Sequence, residues 1–446
     1  MKNTYSKNKN NKEKFYKFKN KEHMNTIFKR KINVIVLFNI IIIIISLSLS
    51  EEQRYNARNL NSDSIIQLII KKKGLQKIIH DKYQFMPYKV IVNDIEQTTF
   101  NNNVLFEEEK DNVIVMKFNT SINSVYNMFR YINITSIDFS EFDFSKVTDM
   151  RFMFYECKDL EYINFGHINT SSVTDMNNLF ASCRNLTSLD LSYFDTSSVT
   201  FMGSMFYQCS SLTTLDLSNF NTSKVYSMNS MFNGCYNLSS VNLLSFNTSS
   251  VKSMYAMFKN CYKLTSLDFS NFQTPLLDSA GEMFCNCTNL KVLDLSTFDT
   301  SKVSNFFRMF SECINLISLD ISSFNTSLAT SMEKMFYLNN QITSINLNSF
   351  DTSNVINMVS LFAGCEQLIN LDISHFNTSS LKDISSMFLD CKVLKSLDLS
   401  NFDAPSITNA RGAFRGCTML TSLDLSNFKA SSVKYMDYMF ADCENL

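Results

Sequence analysis

The sequence is poor in several residue types on which enzymes and cofactor-binding proteins depend. Its 446 residues include no tryptophan, three prolines, eight glycines and four histidines. There is no glycine-rich loop of the kind that cradles phosphate groups. Metal sites use Cys or His clusters at short spacing, but the histidines stand far apart, at His23, His80, His167 and His375. Because no nucleophile–base constellation is present either, we predict a protein that is not an enzyme and holds no metal or cofactor.

Cysteine, by contrast, recurs at a fixed interval of 26 residues. Asn339 occupies one gap in this series, and Cys285 is the one cysteine outside it. A fixed period of about 20–50 residues is the signature of a solenoid. We call the series, with Asn339, the ladder positions: Cys157, Cys183, Cys209, Cys235, Cys261, Cys287, Cys313, Asn339, Cys365, Cys391, Cys417 and Cys443.

Each repeat has the pattern of two structural elements, as residues 189–212 (LDLSYFDTSSVTFMGSMFYQCSSL) illustrate. Leu189 and Leu191 flank Asp190, which is the period-2 alternation of a short strand. The apolar positions that follow are spaced by 3, 3, 1 and 3 residues, which predicts one face of a helix: Val199, Met202, Met205, Phe206 and Cys209.

Threonine stands thirteen residues before the ladder position in nine of twelve repeats, and Pro275 and Pro405 follow this column in two repeats. Thr as N-cap with Pro at the first helical position fits the rules for helix entry. We therefore predict an α/β solenoid, with a parallel sheet on the concave face and one helix per repeat on the convex face. Stacked repeats bury apolar faces that a single repeat leaves exposed.

The repeated string LxxLDLSNFDTSxVxxMxxMFxxCxxL resembles the BspA-like leucine-rich-repeat surface proteins. The match covers about residues 119–446, roughly three quarters of the chain. The resemblance implies a cell-surface or secreted protein that binds host or matrix proteins. It brings no catalytic residues.

The first 50 residues predict export. Residues 1–31 are basic, and residues 32–49 carry no charge, at the short end for a membrane span. Residues 32–50 are either an uncleaved signal anchor or a signal peptide cleaved near residues 48–50. In both cases the basic flank predicts that the repeats lie outside the cytosol, and residues 32–49 hold the chain in the membrane if they are not cleaved. No cysteine follows them, which excludes a bacterial lipoprotein anchor.

Charge divides the chain in the same place. Without residues 1–50, the chain has 30 basic and 40 acidic residues. Because nucleic-acid phosphates require a basic face, an acidic chain is a poor partner for nucleic acid.

Residues 51–118 lie outside the repeat and are predicted to cap the solenoid, a separate functional domain being the alternative. We expect one amphipathic helix within residues 62–82 and strands at residues 88–92 and 113–116. The solenoid then occupies residues 119–446 in about 12 turns. No polar cap follows its last repeat, so we expect a truncated product or a missing continuation.

The ladder cysteines have three interpretations: metal ligands, disulfides between stacked repeats, or buried thiols that fill small apolar spaces. We favour buried thiols, because stacked side chains point the same way and cannot turn towards each other. Cys285, outside the ladder, is expected to be exposed.

A column of aspartates is the candidate binding face on the concave sheet. It is either an acidic surface for a basic partner or cations, or a series of solvated carboxylates. The face lacks the Trp, Tyr and Arg typical of binding hot spots, so we expect modest affinity that repetition raises. The column contains Asp190, Asp216, Asp268, Asp294, Asp320, Asp372, Asp398 and Asp424.

Ten N-x-S/T sequons are candidate glycosylation sites in a eukaryotic secretory pathway. The alternative is corner chemistry, since Asp replaces Asn in the same column at Asp195, Asp299 and Asp351. The asparagines are Asn119, Asn133, Asn169, Asn185, Asn221, Asn237, Asn247, Asn286, Asn325 and Asn377.

These observations lead us to expect a recognition or adhesion protein at the cell surface or in the secreted fraction, with an extracellular protein or glycan as partner. A structural surface spacer without a specific ligand is the second possibility. An intracellular scaffold is the third, if residues 32–49 do not insert.

Overall fold

A computed structural model describes residues 63–446. The basic segment at residues 1–31 and the signal or anchor segment at residues 32–50 lie outside the described residues. Within residues 63–446, no helix has the length and apolar character needed to cross a membrane.

The described chain begins with six strands: β1 (Ser64–Ile70), β2 (Gly74–Lys77), β3 (Lys89–Val92), β4 (Ile95–Glu96), β5 (Asn103–Phe106) and β6 (Asn112–Phe118). Strand β1 pairs antiparallel with β6 on one side. On its other side it pairs antiparallel with β7 (Ser136–Glu141), the first strand of the solenoid. The sheet order is β4-β3-β6-β1-β7-β8, so the antiparallel strands lead directly into the repeats.

The helix expected within residues 62–82 is wrong, because the chain forms β1 and β2 there. Burial alternates along β1, with Ile66, Leu68 and Ile70 buried and the residues between them half-buried. The run is rich in isoleucine, and β-branched side chains favour strands over helices.

Each 26-residue repeat forms one coil of a solenoid. The remaining strands are β8 (Tyr162–Asn164), β9 (Thr214–Asp216), β10 (Ser240–Asn242), β11 (Val292–Asp294), β12 (Ser318–Asp320), β13 (Ser396–Leu397) and β14 (Ser422–Leu423). They pair in parallel and in register, Thr214 with Ser240 for example. The parallel pairing was predicted, but the pairs β7–β8, β9–β10, β11–β12 and β13–β14 are not joined into one sheet.

The predicted helix in each repeat is wrong: residues 63–446 contain no α-helix, only a 3₁₀ turn at Ala430–Ser432. In its place, backbone hydrogen bonds alternate between two directions. The Phe206 N–H donates to the Met231 carbonyl of the next coil at 2.9 Å, whereas the Cys209 N–H donates back to Phe206 at 3.1 Å. Ser204 and Gln208 have φ of 55° and 53°. An α-helix requires negative φ and bonds to the fourth preceding carbonyl, so the segment is a series of β-turns bonded to the next coil.

The spacing nevertheless identified the core correctly. Val199, Met202, Met205, Phe206 and Cys209 are all fully buried. Each turn joins residues three apart, as when the Met205 N–H donates to the Met202 carbonyl and the Cys209 N–H to the Phe206 carbonyl, so residues at that spacing lie on one side much as in a helix. Spacings of three and four residues therefore marked the buried face without distinguishing the two backbones.

Two columns of side chains run through this core. Phenylalanines three residues before the ladder positions stack with centroid distances of 5.3–5.9 Å. The Cys209 thiol donates to the Phe180 carbonyl of the preceding coil at 3.1 Å, and burial raises the pKa of Cys235, in the next coil, to about 12. Cys285 is 1% exposed, so its predicted exposure is wrong.

The repeated threonine links coils and does not cap a helix. The Thr222 hydroxyl donates to the Asn247 carbonyl at 2.9 Å and accepts the Asn247 N–H at 2.8 Å. Thr222 is fully buried. With no helix to cap, the hydroxyl satisfies both backbone groups of the corner in the next coil.

Candidate binding site on the strand face

We define the strand face as residues 188, 190 and 192 and their equivalents every 26 residues. The eight aspartates of the predicted column are all exposed on this face. Each accepts a hydrogen bond at its Oδ1 from the backbone N–H two residues later, at 2.9–3.0 Å. The aspartate column therefore has a local role in shaping the turn that follows each strand.

Asp190 illustrates the charge and the free oxygen that each aspartate side chain of this column can offer a ligand. The backbone N–H and then the hydroxyl of Ser192 lower the pKa of Asp190, so the carboxylate is charged at neutral pH. No described residue donates to its Oδ2. Among residues 63–446, no three His, Cys, Asp or Glu side chains form a cluster suited to a metal ion.

The asparagines of the ten sequons lie on the surface to different degrees. Eight are exposed, whereas Asn133 and Asn286 are half-buried. Corner asparagines shape their own turns, as when Asn221 Oδ1 accepts the Ser223 N–H at 3.1 Å. Glycosylation of the sequons stays a prediction.

A second column on this side of the solenoid fastens each coil to the one before it. Asn219, ten residues after its ladder position, donates from Nδ2 to the carbonyls of Leu191 and Phe194, both at 2.9 Å. Equivalent side chains bond a carbonyl of the preceding coil in seven further coils. We call these eight residues the bracket column: Asn219, Ser245, Asn271, Thr297, Ser323, His375, Asn401 and Asn427.

Tyr193 occupies the bracket position of its coil but makes no bracket. Its ring packs edge-on against the His167 ring, with the two ring centroids 4.5 Å apart. The carbonyls that a bracket would bond, those of Phe165, Gly166 and Ile168, accept no hydrogen bond from residues 63–446. These carbonyls are therefore open, in contrast to the carbonyls that Asn219 bonds in the next coil.

A cavity of about 340 Å³ lies at this point, and we call it the Tyr162–Tyr193 cleft. The residues with the open carbonyls, Asp190 and both tyrosines line it. Tyr162 is 60% exposed and Tyr193 54%. Burial, and then Asp138 and Asp190, raise the pKa of Tyr162.

The sequence-based statement that this face lacks tyrosine is wrong. Tyr162 and Tyr193 stand in columns that other repeats fill mostly with Ser or Asn. This departure from the repeat was the feature of the sequence that could have identified the cleft.

The strand ladder is also interrupted beside the cleft. Within the described chain, residues 187–190 make no backbone hydrogen bond to either neighbouring coil, although Thr214 and Ser240 pair regularly further along. Residues 265–268 show the same interruption. There, however, the bracket residue Asn271 is present and donates to Leu244 at 2.7 Å.

A family model described as "Mycoplasma protein of unknown function, DUF285" matches the repeats. The matches overlap and together extend from residue 123 to residue 446: 123–238, 185–291, 212–312, 265–367 and 330–446. The chain belongs to this family. Its DUF285 repeats are the coils described above. Among curated proteins, none matches the sequence.

Solved structures similar to this DUF285 chain include three leucine-rich-repeat or cysteine-ladder proteins. A leucine-rich-repeat protein from Eubacterium ventriosum has 16% identity and a TM-score of 0.34, covering 63% of this chain and 82% of its own. One from Leptospira interrogans has 13% identity and a TM-score of 0.23, covering 66% and 78%. The functional domain of InlJ from Listeria monocytogenes, described as including a cysteine ladder, has 17% identity and a TM-score of 0.26, covering 73% and 69%.

Proposed function

We propose that this DUF285 protein is a non-enzymatic recognition or adhesion solenoid, similar to the BspA-like surface proteins. In this proposal it is secreted or displayed on the cell surface, and its strand face binds a protein or glycan outside the cell. A surface spacer without a ligand and an intracellular scaffold are the competing functions.

The observation that carries the proposal is the difference between interior and strand-face columns. Interior columns, such as Phe206 and Cys209, are fully buried and used in packing. The eight aspartates of the strand face are exposed, each with a single backbone bond to its own turn. Repetition presents this polar surface many times along one side, which suits a partner that makes several weak contacts at once.

Location is tested first, with an epitope placed after Leu446 and protease added to intact cells. Loss of the epitope is expected, because the uncharged segment at residues 32–49 predicts export. Permeabilised cells serve as the digestion control. Full protection on intact cells, with complete digestion after permeabilisation, would contradict the surface proposal and favour the scaffold.

Ligand binding then separates recognition from spacing. The purified full chain, in mild detergent because residues 32–49 are apolar, is applied to immobilised purified matrix proteins and glycans. The recognition proposal expects saturable binding that falls when Asp216, Asp294 and Asp398 are changed together to Asn. If none of the immobilised proteins and glycans binds the chain, the recognition proposal is contradicted and the spacer function is favoured.

A further inference from the structure

We propose that the Tyr162–Tyr193 cleft binds an arginine side chain from a basic polypeptide. The proposal rests on the recognition function above and names the class of partner. It is argued from hydrogen-bonding groups, charge, aromatic rings and the size of the cavity.

The open polar atoms of the cleft are mainly hydrogen-bond acceptors. The carbonyls of Phe165, Gly166 and Ile168 lack the bracket that closes the equivalent carbonyls of other coils. Asp190 adds a carboxylate oxygen with no donor among the described residues. A guanidinium group carries five N–H donors and no acceptor, so it complements this arrangement better than a carboxylate or phosphate does.

The charges around the cleft favour a cation. None of its lining residues is Lys or Arg. Asp138 lies beside it, where Asn164 Nδ2 donates to Asp138 Oδ2 at 3.0 Å. Neither Asp138 nor Asp190 forms an ion pair within residues 63–446. Two uncompensated carboxylates attract a cationic side chain and repel an anionic one.

The tyrosines supply the remaining surface. Both rings are more than half exposed, and both line the cavity. A guanidinium stacks on aromatic faces as well as donating hydrogen bonds, whereas the ammonium of lysine is a compact, strongly hydrated charge. The cleft should therefore prefer Arg to Lys.

The size of the cavity limits the ligand. About 340 Å³ is near the lower end of the ~300–1,000 Å³ range of ligand pockets. One long side chain fits this volume better than a folded surface. The proposal places the rest of the peptide along residues 187–190, which make no backbone hydrogen bond to either neighbouring coil.

The test measures fluorescence anisotropy of a fluorescein-labelled hexapeptide of alternating serine and arginine, titrated with the purified full chain in mild detergent. Matched Ser–Lys and Ser–Glu hexapeptides and the neutral sugar maltohexaose serve as competitors. We expect the Arg peptide to bind, the Lys peptide to compete more weakly, and the Glu peptide and sugar not to compete.

The decisive variant is Tyr193→Asn, because Asn is the bracket residue of four other coils and should restore the bond to the open carbonyls. It should weaken Arg-peptide binding by at least about tenfold, the loss expected on removal of a hot-spot residue. Tyr193→Phe, which keeps the ring, should stay within about threefold. Tyr236→Asn changes another exposed tyrosine, which stacks on Tyr262 away from the cleft, and should leave binding unchanged.

Three outcomes would overturn the proposal: no binding of the Arg peptide, equal binding by the wild type and a folded Tyr193→Asn variant, or effective competition by maltohexaose. Thermal unfolding of each variant shows whether it has folded. A solenoid protected from protease on intact cells would contradict the surface location without affecting the cleft. An exposed solenoid with an inactive cleft would contradict the cleft alone.

Discussion

The coils that carry Tyr193 and Asn219 have matching interiors and different strand faces. Their core residues, Phe180 and Cys183 in one and Phe206 and Cys209 in the other, are all fully buried. Asn219 closes carbonyls of the coil before it, whereas Tyr193 leaves a cavity there. The comparison teaches that the interior columns maintain the stack, while a change of residue at one bracket position goes with a cavity on the strand side.

The largest effect is expected from breaking the interior. Phe306 is fully buried and packs against Phe324 at a centroid distance of 5.9 Å. Phe306→Ala should lower the free energy of unfolding by about 3–5 kcal/mol, because it removes a large buried ring and leaves a cavity. Phe201→Ala, at a site 41% exposed, is the control and should cost clearly less, because part of its ring is already in water. Urea unfolding followed by circular dichroism measures both. Equal costs would contradict the buried packing.

A smaller loss is expected from the threonine column. Thr222→Val keeps the shape but removes the hydroxyl that bonds both backbone groups of Asn247. Stability should fall by about 1–3 kcal/mol, the cost of an unsatisfied buried polar group. The hydroxyl of the half-buried Thr200 makes one bond, to the Thr174 carbonyl, so Thr200→Val should cost less in the same urea assay. The reverse order would show that the column does not link the coils.

The ladder position that breaks the cysteine series allows a test in the opposite direction. Asn339 is fully buried, and its Oδ1 and Nδ2 have no hydrogen-bond partner in the described chain. Asn339→Cys removes two unsatisfied groups and should raise the free energy of unfolding by about 1–2 kcal/mol. The converse change, Cys313→Asn, should lower it. A destabilising Asn339→Cys would show that the amide has an unrecognised partner, such as a buried water.

The smallest effect on stability belongs to the cleft itself. Tyr193→Asn should change the unfolding free energy by less than about 0.5 kcal/mol, because the lost contact with the His167 ring is offset by the restored bond to the preceding coil. The same variant is expected to lose peptide binding. A large loss of stability would mean that Tyr193 supports the stack and would remove the contrast with the interior.

The 26-residue period and the buried columns could be predicted because they depend on the spacing of apolar residues such as Met202, Phe206 and Cys209. The backbone state could not, because successive β-turns and a helix share that spacing. Thr222 was interpreted as a helix cap because a local pattern cannot reveal its true partner. That partner, Asn247, lies 25 residues further along the sequence. The cleft was missed because the role of Tyr193 appears only when Asn219 is seen bonding the preceding coil.

Hydrogen–deuterium exchange of the full chain, with and without the Ser–Arg hexapeptide, tests the central claim most directly. Residues 187–190 and 265–268 should both exchange faster than the paired strands β9 and β10, because both lack backbone bonds to neighbouring coils. Only residues 187–190 should become protected when the peptide is added, because only they border the Tyr162–Tyr193 cleft. Slow exchange at residues 187–190 without peptide, or equal protection of both segments with it, would contradict the account.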